Sequence, residues 1–241
     1  MPTEFSWIGA GITAGITATL VLQWWLRRIP ATFALDPEVP ESSALDTGEL
    51  LDARLPRAVI LALIATTAIL GMLRQDYGRL LSDSLLLAAL TGIAWWDWRH
   101  LTIDIRLIAL TALLQSGWSV LFVPASTIEL LLGGVFGAGG LYWLGMLYAA
   151  VRGIEGLGEG DPAVLGLIGL WVGWQGLLTT VLIAALSGLL IGGFVLLRTR
   201  QPLLQTRIPF APFLCLGGVS TVLLQQACLC KSPWLAFLHS F

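Results

Sequence analysis

Apolar runs of membrane-spanning length alternate with short polar segments along almost the whole chain. A transmembrane helix needs about 20 apolar residues, with a lower limit of about 17. The pattern predicts helices at residues 5–26, 58–73, 80–96, 105–123, 128–151, 161–174, 177–197 and 208–224, and a short mixed tail at 225–241. The sequence therefore predicts an all-α polytopic membrane protein with about eight transmembrane helices.

The sixth predicted helix, 161–174, is the shortest and fades near Trp174, Gln175 and Gly176. Two interpretations of it stay open. It is either a full span, or a half-depth helix that leads by a tight turn into the seventh helix.

Composition supports a membrane protein, because the 241 residues are 56% hydrophobic and only 12% charged. Soluble domains carry roughly 25% charged residues, so this chain has too few charges to cover a water-facing surface. We expect a single membrane domain over residues 1–241, with the lipid bilayer as its surroundings and 27–57 as its one sizeable polar loop. The net charge of −2 is uninformative, but the absence of a basic run predicts no nucleic-acid partner.

Basic residues are divided unequally between the two sides that eight helices define. One side carries Arg27, Arg28, Arg54, Arg57, Arg99, Arg106, Arg152, Arg198, Arg200 and Arg207, and the other carries Arg74, Arg79 and Lys231. The positive-inside rule puts the more basic side in the cytoplasm. We therefore expect a multi-pass protein of the cytoplasmic (inner) membrane, with 27–57 as a cytoplasmic loop and both termini non-cytoplasmic.

Two aspartates, Asp97 and Asp161, stand at the ends of apolar runs, and the predicted topology puts both on the cytoplasmic side. A carboxylate at a membrane helix is expensive and usually functional. When two carboxyl groups share a site, one stays protonated and can polarise a peptide carbonyl, while the ionised one takes a proton from water. Peptide hydrolysis by this route needs no metal or cofactor. The pair is thus a candidate for peptide-bond cleavage.

Each aspartate also has a structural interpretation. Asp161 is followed by Pro162, and an Asp N-cap with Pro at the first helical position is a common helix start. Asp97 could be an interfacial acid that is solvated or paired with an arginine. Gly158 and Gly160, just before Asp161, permit unusual backbone angles and close approach, which suits an acid that must reach a partner.

Several short motifs follow one another along the chain in a fixed order. They are Arg28-Ile29-Pro30, Asp97 with Ile103 six residues later, Gly158-Glu159-Gly160-Asp161, Leu165-Gly166-Leu167-Ile168-Gly169-Leu170-Trp171-Val172-Gly173-Trp174, and Arg207-Ile208-Pro209-Phe210-Ala211-Pro212-Phe213-Leu214. Together they resemble the type IV prepilin peptidase family, whose members are GxGD membrane aspartyl proteases. GxGD alone is a weak signal in a chain with 27 glycines, but its combination with the Trp-Gly and Pro-Phe segments is specific.

The resemblance implies a GxGD aspartyl protease-like helical bundle that acts at the cytoplasmic membrane face. Its substrate would be the leader of a prepilin or pseudopilin helix, in type IV pilus assembly or protein secretion. By position, the catalytic residues would be Asp97 and Asp161, with Gly158 and Gly160 as the motif backbone. Many members of the family also N-methylate the new terminus with S-adenosylmethionine.

The chain departs from the family pattern at several places. Asp104 stands where Pro is usual, which makes it a rival acid to Asp97, and Ala163 stands where Lys is frequent. Gln23 replaces a usual Asn, and the loop 27–57 lacks the two CxxC pairs of bifunctional members. The chain's three cysteines lie late in the sequence and are interpreted as apolar side chains, with no metal site. These departures favour proteolysis over methylation, so S-adenosylmethionine is expected only if methylation is retained.

Two classes of function stay open. The first is an aspartic endopeptidase that cleaves leaders, and it predicts that Asp97 and Asp161 converge within reach of one water. The second is a membrane protein without catalysis, either a divergent relative that binds pilin-like helices or a transporter-like bundle. A transporter would need polar residues near the middle of the membrane, and the helix centres offer few.

Overall fold

The structure is a computed structural model that describes residues 4–27, 55–74, 76–122, 127–153, 158, 160–199 and 209–229. These residues form seven α-helices and no β-strand. The helices are α1 Glu4–Leu26, α2 Arg57–Arg74, α3 Tyr77–His100, α4 Ile105–Phe122, α5 Thr127–Arg152, α6 Asp161–Thr199 and α7 Ala211–Leu229. The predicted all-α class is confirmed for this part of the chain. The loop predicted at 27–57 lies almost entirely outside the described residues.

Four of the described helices are long and apolar enough to cross a membrane, judged by length and composition. They contain Ser6–Leu26, Ile105–Phe122, Thr127–Arg152 and Asp161–Phe194, and two shorter apolar helices cover Arg57–Leu73 and Ala211–Gln226. A multi-pass membrane protein is therefore confirmed. The predicted count of eight helices is not confirmed: the described residues form seven helices, and the sixth and seventh predicted helices lie within α6, before and after Gly173. The orientation of the termini stays a prediction.

The chain divides into two compact units, residues 1–104 and 105–241. In the first unit α1, α2 and α3 pack against one another. Glycines bring α1 and α2 close together: a Cβ on Gly11 would lie 2.6 Å from the carbonyl oxygen of Thr67, and one on Gly71 would lie 2.7 Å from that of Trp7. Small residues are the usual means of close helix packing in membranes. The predicted single membrane domain is not tested by this division.

In the second unit, α5 and the beginning of α6 approach backbone to backbone. A Cβ on Gly169 would overlap the carbonyl oxygen of Gly133, and one on Gly133 would overlap that of Gly169. One turn further along α5, a Cβ on Gly137 would lie 2.6 Å from the carbonyl oxygen of Leu165. Residues larger than glycine at these contacts would push the two helices apart. The glycines therefore fix the beginning of α6 against α5.

Helix α6 is interrupted at Gly173, where φ is 72° and ψ is 171°. This is a region of backbone space that essentially only glycine occupies. The interruption divides α6 into a first segment, residues 161–172, and a second segment, residues 174–199. It lies just before the predicted break at Trp174, but the helix resumes at once, so no loop separates the two segments.

Contacts with α7 give the direction of the two segments. A Cβ on Gly218 would lie 2.8 Å from Ile168, and Gln225, two turns later, hydrogen-bonds to Val172. Against the second segment, Gly217 lies beside Ala184 and Gln225 lies beside Gly176. The first segment of α6 therefore runs in the same direction as α7, and the second segment runs in the opposite direction. The chain thus reverses direction at Gly173.

The first segment of α6 is short. At 1.5 Å per residue, residues 161–172 extend for roughly 18 Å, whereas the hydrocarbon core of a bilayer is about 30 Å thick. The segment is therefore too short to cross the bilayer. Among the two interpretations of the sixth predicted helix, its length and the turn fit a half-depth helix.

Helix α7 differs from its prediction at both ends. It begins at Ala211 instead of 208, directly after Pro209 and Phe210. It continues to Leu229, so Gln225, predicted to open the tail, is a helical residue that contacts α6. The prediction missed this extension because it placed the end of the helix at the end of the apolar run, which glutamines interrupt after residue 224.

We predict that Gly169→Val destabilises the protein, because the new side chain would collide with the backbone of α5. Overpacking of this kind costs about 1–3 kcal/mol, and a collision with backbone belongs at the upper end. The midpoint of thermal unfolding in detergent measures the effect. Gly139→Val is the matched control, because a Cβ on Gly139 has no atom within 4 Å. Equal midpoints for the two variants would contradict the role of the glycine contact.

Candidate functional site

Asp161 is the first residue of α6 and is 5% exposed. The carbonyl of Gly160 accepts the first intrahelical hydrogen bond, from Val164 N–H at 3.1 Å. Gly160 therefore occupies the N-cap position, and Asp161 lies within the first turn, where the helix dipole favours a negative charge. The helix thus begins at Asp161, one residue before the start that the capping interpretation of Asp161 implies.

Gly158 lies directly against the carboxyl group of Asp161. The N–H of Asp161 donates to the carbonyl oxygen of Gly158 at 3.2 Å, which closes a tight turn. A Cβ on Gly158 would lie 3.1 Å from Oδ2 of Asp161, closer than side chains normally approach. The carboxyl group of Asp161 can therefore occupy its present position only because residue 158 has no side chain. This contact gives the first glycine of the GxGD motif a steric reason.

Asp97 lies in the last turn of α3 and is 5% exposed. The sequence predicts that α3 ends at Asp97, but the helix continues to His100. It is closed by Leu101, whose N–H donates to the carbonyl oxygen of Asp97 at 2.8 Å. Leu101 has a φ of 53°, which is uncommon for a residue other than glycine. Backbone strain of this kind clusters at functional sites.

Aromatic and basic side chains surround the end of α3. His100 packs on Trp96 with ring centroids 4.3 Å apart, and the guanidinium carbon of Arg99 lies 5.6 Å from the ring centre of Trp95. Burial lowers the pKa of His100, and the charge of Arg99 lowers it further. His100 is therefore biased toward its neutral form one turn after Asp97.

Asp104, the rival acid, is tied to α1. Its Oδ2 accepts a hydrogen bond from Trp25 Nε1 at 3.4 Å. The bond joins the end of α1 to the turn after α3, which gives Asp104 a structural role. Sequence reasoning had no signal for this tie, because it connects residues 79 positions apart.

Asp83 is another buried acid, which the sequence indicates as an interfacial or paired acid in preference to a catalytic one. It is 2% exposed and lies on α3 with Asp97. Their separation of 14 positions corresponds to roughly 21 Å along a helix. Asp83 is therefore too far from Asp97 to share one water with it. Gly173 and Gln225 are two further residues whose roles at α6 emerge only from the structure.

The two predicted catalytic residues lie in different units, Asp97 in residues 1–104 and Asp161 in residues 105–241. Each is buried, and each stands at a helix end with a defined backbone turn. Their convergence on one water stays a prediction. Within the described ranges, no group of three or more His, Cys, Asp and Glu side chains could hold a metal ion.

The fold and the motif define a multi-pass membrane protein with a GxGD turn at the start of a short helical segment that ends at Gly173. Residues 84–193 match the model of the type IV leader peptidase family. This segment contains both Asp97 and Asp161. The family resemblance predicted from the sequence is therefore confirmed over this segment.

Three relatives carry the name prepilin leader peptidase/N-methyltransferase. The protein of Pseudomonas aeruginosa is 40% identical over 94 residues, which are 39% of this chain and 32% of the relative. That of Burkholderia pseudomallei is 38% identical over 98 residues, 41% of this chain and 31% of the relative. That of Xanthomonas campestris is 29% identical over 206 residues, 82% of this chain and 67% of the relative. The matches thus span about a third of the length of the first two relatives. No solved structure matches the chain.

We predict that His100 titrates below the ordinary histidine pKa of 6.5. The chain has two histidines, so a His239→Gln variant leaves one signal for NMR of the labelled ring. Arg99→Gln should raise the pKa of His100, because it removes a repelling charge. Denaturation should raise it more, because burial is the larger cause.

The same shift fixes the sign of a pH effect on stability. A histidine with a depressed pKa in the folded state binds fewer protons there than in the unfolded state. Its contribution to stability is therefore lost as the pH falls through 6.5 and below. A pKa of His100 above 6.5 in the folded protein would contradict its burial against Trp96.

Proposed function

We propose that this protein is a membrane aspartic endopeptidase that removes the leader of prepilin- or pseudopilin-like proteins at the cytoplasmic membrane face. The observation that carries the proposal is Asp161, buried at the start of α6 with Gly158 against its carboxyl group. It lies in a segment that matches the type IV leader peptidase family and also contains Asp97. The relatives' name supports leader cleavage as the reaction.

The chemistry we propose uses the two carboxyl groups together. The ionised one of the pair takes a proton from a water molecule, whose oxygen attacks the carbonyl carbon of the scissile peptide bond. The protonated one donates to the carbonyl oxygen and stabilises the tetrahedral intermediate. The proton taken from water then passes to the leaving nitrogen, and the peptide bond breaks. In this scheme Asp97 and Asp161 are both catalytic residues.

The substrate we propose is a helix that enters the bilayer beside the enzyme, with its leader on the cytoplasmic side. Ten of the chain's thirteen Arg and Lys residues lie on the side predicted to be cytoplasmic, the side of both aspartates. That excess is what supports cleavage at the inner face of the cytoplasmic membrane.

Methylation is not part of the proposal. The loop 27–57 has no cysteine, and Gln23 stands where the family usually has Asn. Most of that loop lies outside the described residues. We therefore assign no residue to S-adenosylmethionine, and expect it to be required only if the chain retains methylation.

We predict that Asp97→Asn and Asp161→Asn each nearly abolish cleavage. Asparagine has the same shape but cannot exchange a proton, and general acid–base catalysis contributes about 10²–10⁴-fold to a rate. The loss should be at least of that size. Purified full-length type IV prepilin, mixed with the enzyme in detergent and followed by mass spectrometry, measures it.

Asp104→Asn is the matched control for both variants. The asparagine oxygen can still accept the hydrogen bond from Trp25, so cleavage should stay close to that of the parent. Cleavage that survives Asp97→Asn but not Asp104→Asn would make Asp104 the catalytic partner. Cleavage that survives Asp161→Asn would overturn the aspartic mechanism. A parent protein that binds prepilin without cleaving it would favour the non-catalytic relative.

We predict a smaller effect for Gly158→Ala. The added Cβ would lie 3.1 Å from Oδ2 of Asp161 and would displace the carboxyl group by a few tenths of an ångström. A displacement of about 1 Å costs about 10²-fold in rate, so we expect kcat to fall by roughly 3- to 10-fold. Gly140→Ala is the control, because its Cβ meets no atom within 4 Å. Equal kcat values for the two variants would contradict the role of Gly158.

A further inference from the structure

Gln225 of α7 reaches the turn of α6 with its side-chain amide. Its Nε2 donates a hydrogen bond to the carbonyl oxygen of Val172, at 3.1 Å. Val172 is buried and is the last residue before the non-helical Gly173. The bond therefore joins α7 to the point at which α6 changes direction.

Carbonyl groups at the end of a helical segment lack the regular donor four residues ahead. Inside a membrane no water replaces that donor, so irregular backbone is tolerated there only where protein groups satisfy it. With Asp161 at the membrane face, the turn at Gly173 lies roughly 18 Å away along the segment, within the hydrocarbon core. The amide of Gln225 supplies a donor at this depth.

The side-chain amide of Gln225 occupies space that is available only because residue 176 is a glycine. A Cβ on Gly176 would lie 2.9 Å from Nε2 of Gln225 and 2.7 Å from the Cβ of Val172. A side chain at position 176 would therefore compete with the amide for its position. Gly173 permits the turn, Gly176 leaves room, and Gln225 fills that room with a hydrogen-bond donor.

We propose that Gln225 is a positioning residue for Asp161: its hydrogen bond to the carbonyl of Val172 fixes the turn that orients the first segment of α6. The inference rests on the proposed function, since it assigns Asp161 a catalytic role. The segment acts as a lever with the turn at one end and Asp161 at the other. Over roughly 18 Å, a rotation of about 3° at the turn moves the far end by about 1 Å.

The variant that tests the proposal is Gln225→Met, which keeps the length of the side chain and removes the donor. Its control is Thr180→Val, which removes another hydrogen bond between α6 and α7, from Thr180 to Thr221 at 3.1 Å, located in the second segment. We expect Gln225→Met to lower kcat by roughly 10- to 100-fold with KM nearly unchanged, because about 1 Å of misplacement costs about 10²-fold. Thr180→Val should leave kcat close to that of the parent.

A distance measurement makes the test independent of activity. Spin labels at positions 163 and 190, in a background with the native cysteines replaced, report the angle between the two segments of α6. The distance distribution should be narrow in the parent and in Thr180→Val, and broad or shifted in Gln225→Met. If the parent cleaves no prepilin, the proposed function fails, but the distances still decide whether Gln225 fixes the turn.

Two results would overturn the proposal. One is an unchanged distance distribution in Gln225→Met, which would mean that the turn is fixed without the amide. The other is an equal fall in kcat for Gln225→Met and Thr180→Val, which would mean that both bonds contribute only to general stability.

Discussion

The backbone contact between α5 and the first segment of α6 is the constraint on which the second unit depends. At Gly133 and Gly169 the two helices approach so closely that neither position has room for a Cβ. Gly133 also lies beside the turn, with its Cβ position 2.7 Å from the carbonyl carbon of Gly173. One glycine of α5 therefore holds both the segment and its point of reversal. Dispersion contacts of this kind replace the hydrophobic driving force that helices lose in lipid.

The contact between α5 and the first segment of α6 also contributes to the position of Asp161. The segment is held along its length by α5, at its deep end by the turn and Gln225, and at its outer end by the hydrogen bond between Asp161 and Gly158. Three separate interactions thus fix one short helix that carries one acid. A site of this type gains precision from packing, since a carboxyl group on a loop would need to be ordered for each reaction.

Much of the fold could be predicted from the sequence, because the length of an apolar run is a local property. The first five helices were predicted close to their observed bounds, and the resemblance that pointed to Asp97 and Asp161 depended on local motifs. The reversal at Gly173 was foreseen only as one alternative, because a glycine in an apolar run does not reveal its φ. The role of Gln225 was missed, because its partner Val172 lies 53 residues away and the bond is to a backbone atom. Contacts between distant segments that are made by backbone atoms, or that depend on glycines, do not appear in the pattern of apolar and polar residues.

Because of the reversal at Gly173, the depth of Asp161 in the membrane does not depend on the thickness of the bilayer. A helix that spans a bilayer answers a thicker or thinner lipid by tilting or by deforming the bilayer around it. The first segment of α6 ends against α5 and α7, and at roughly 18 Å it does not extend to the opposite face of a core about 30 Å thick. A change in bilayer thickness therefore does not act on this segment directly. Lipid composition would act on the spanning helices, while the segment that carries Asp161 keeps its register with its protein neighbours.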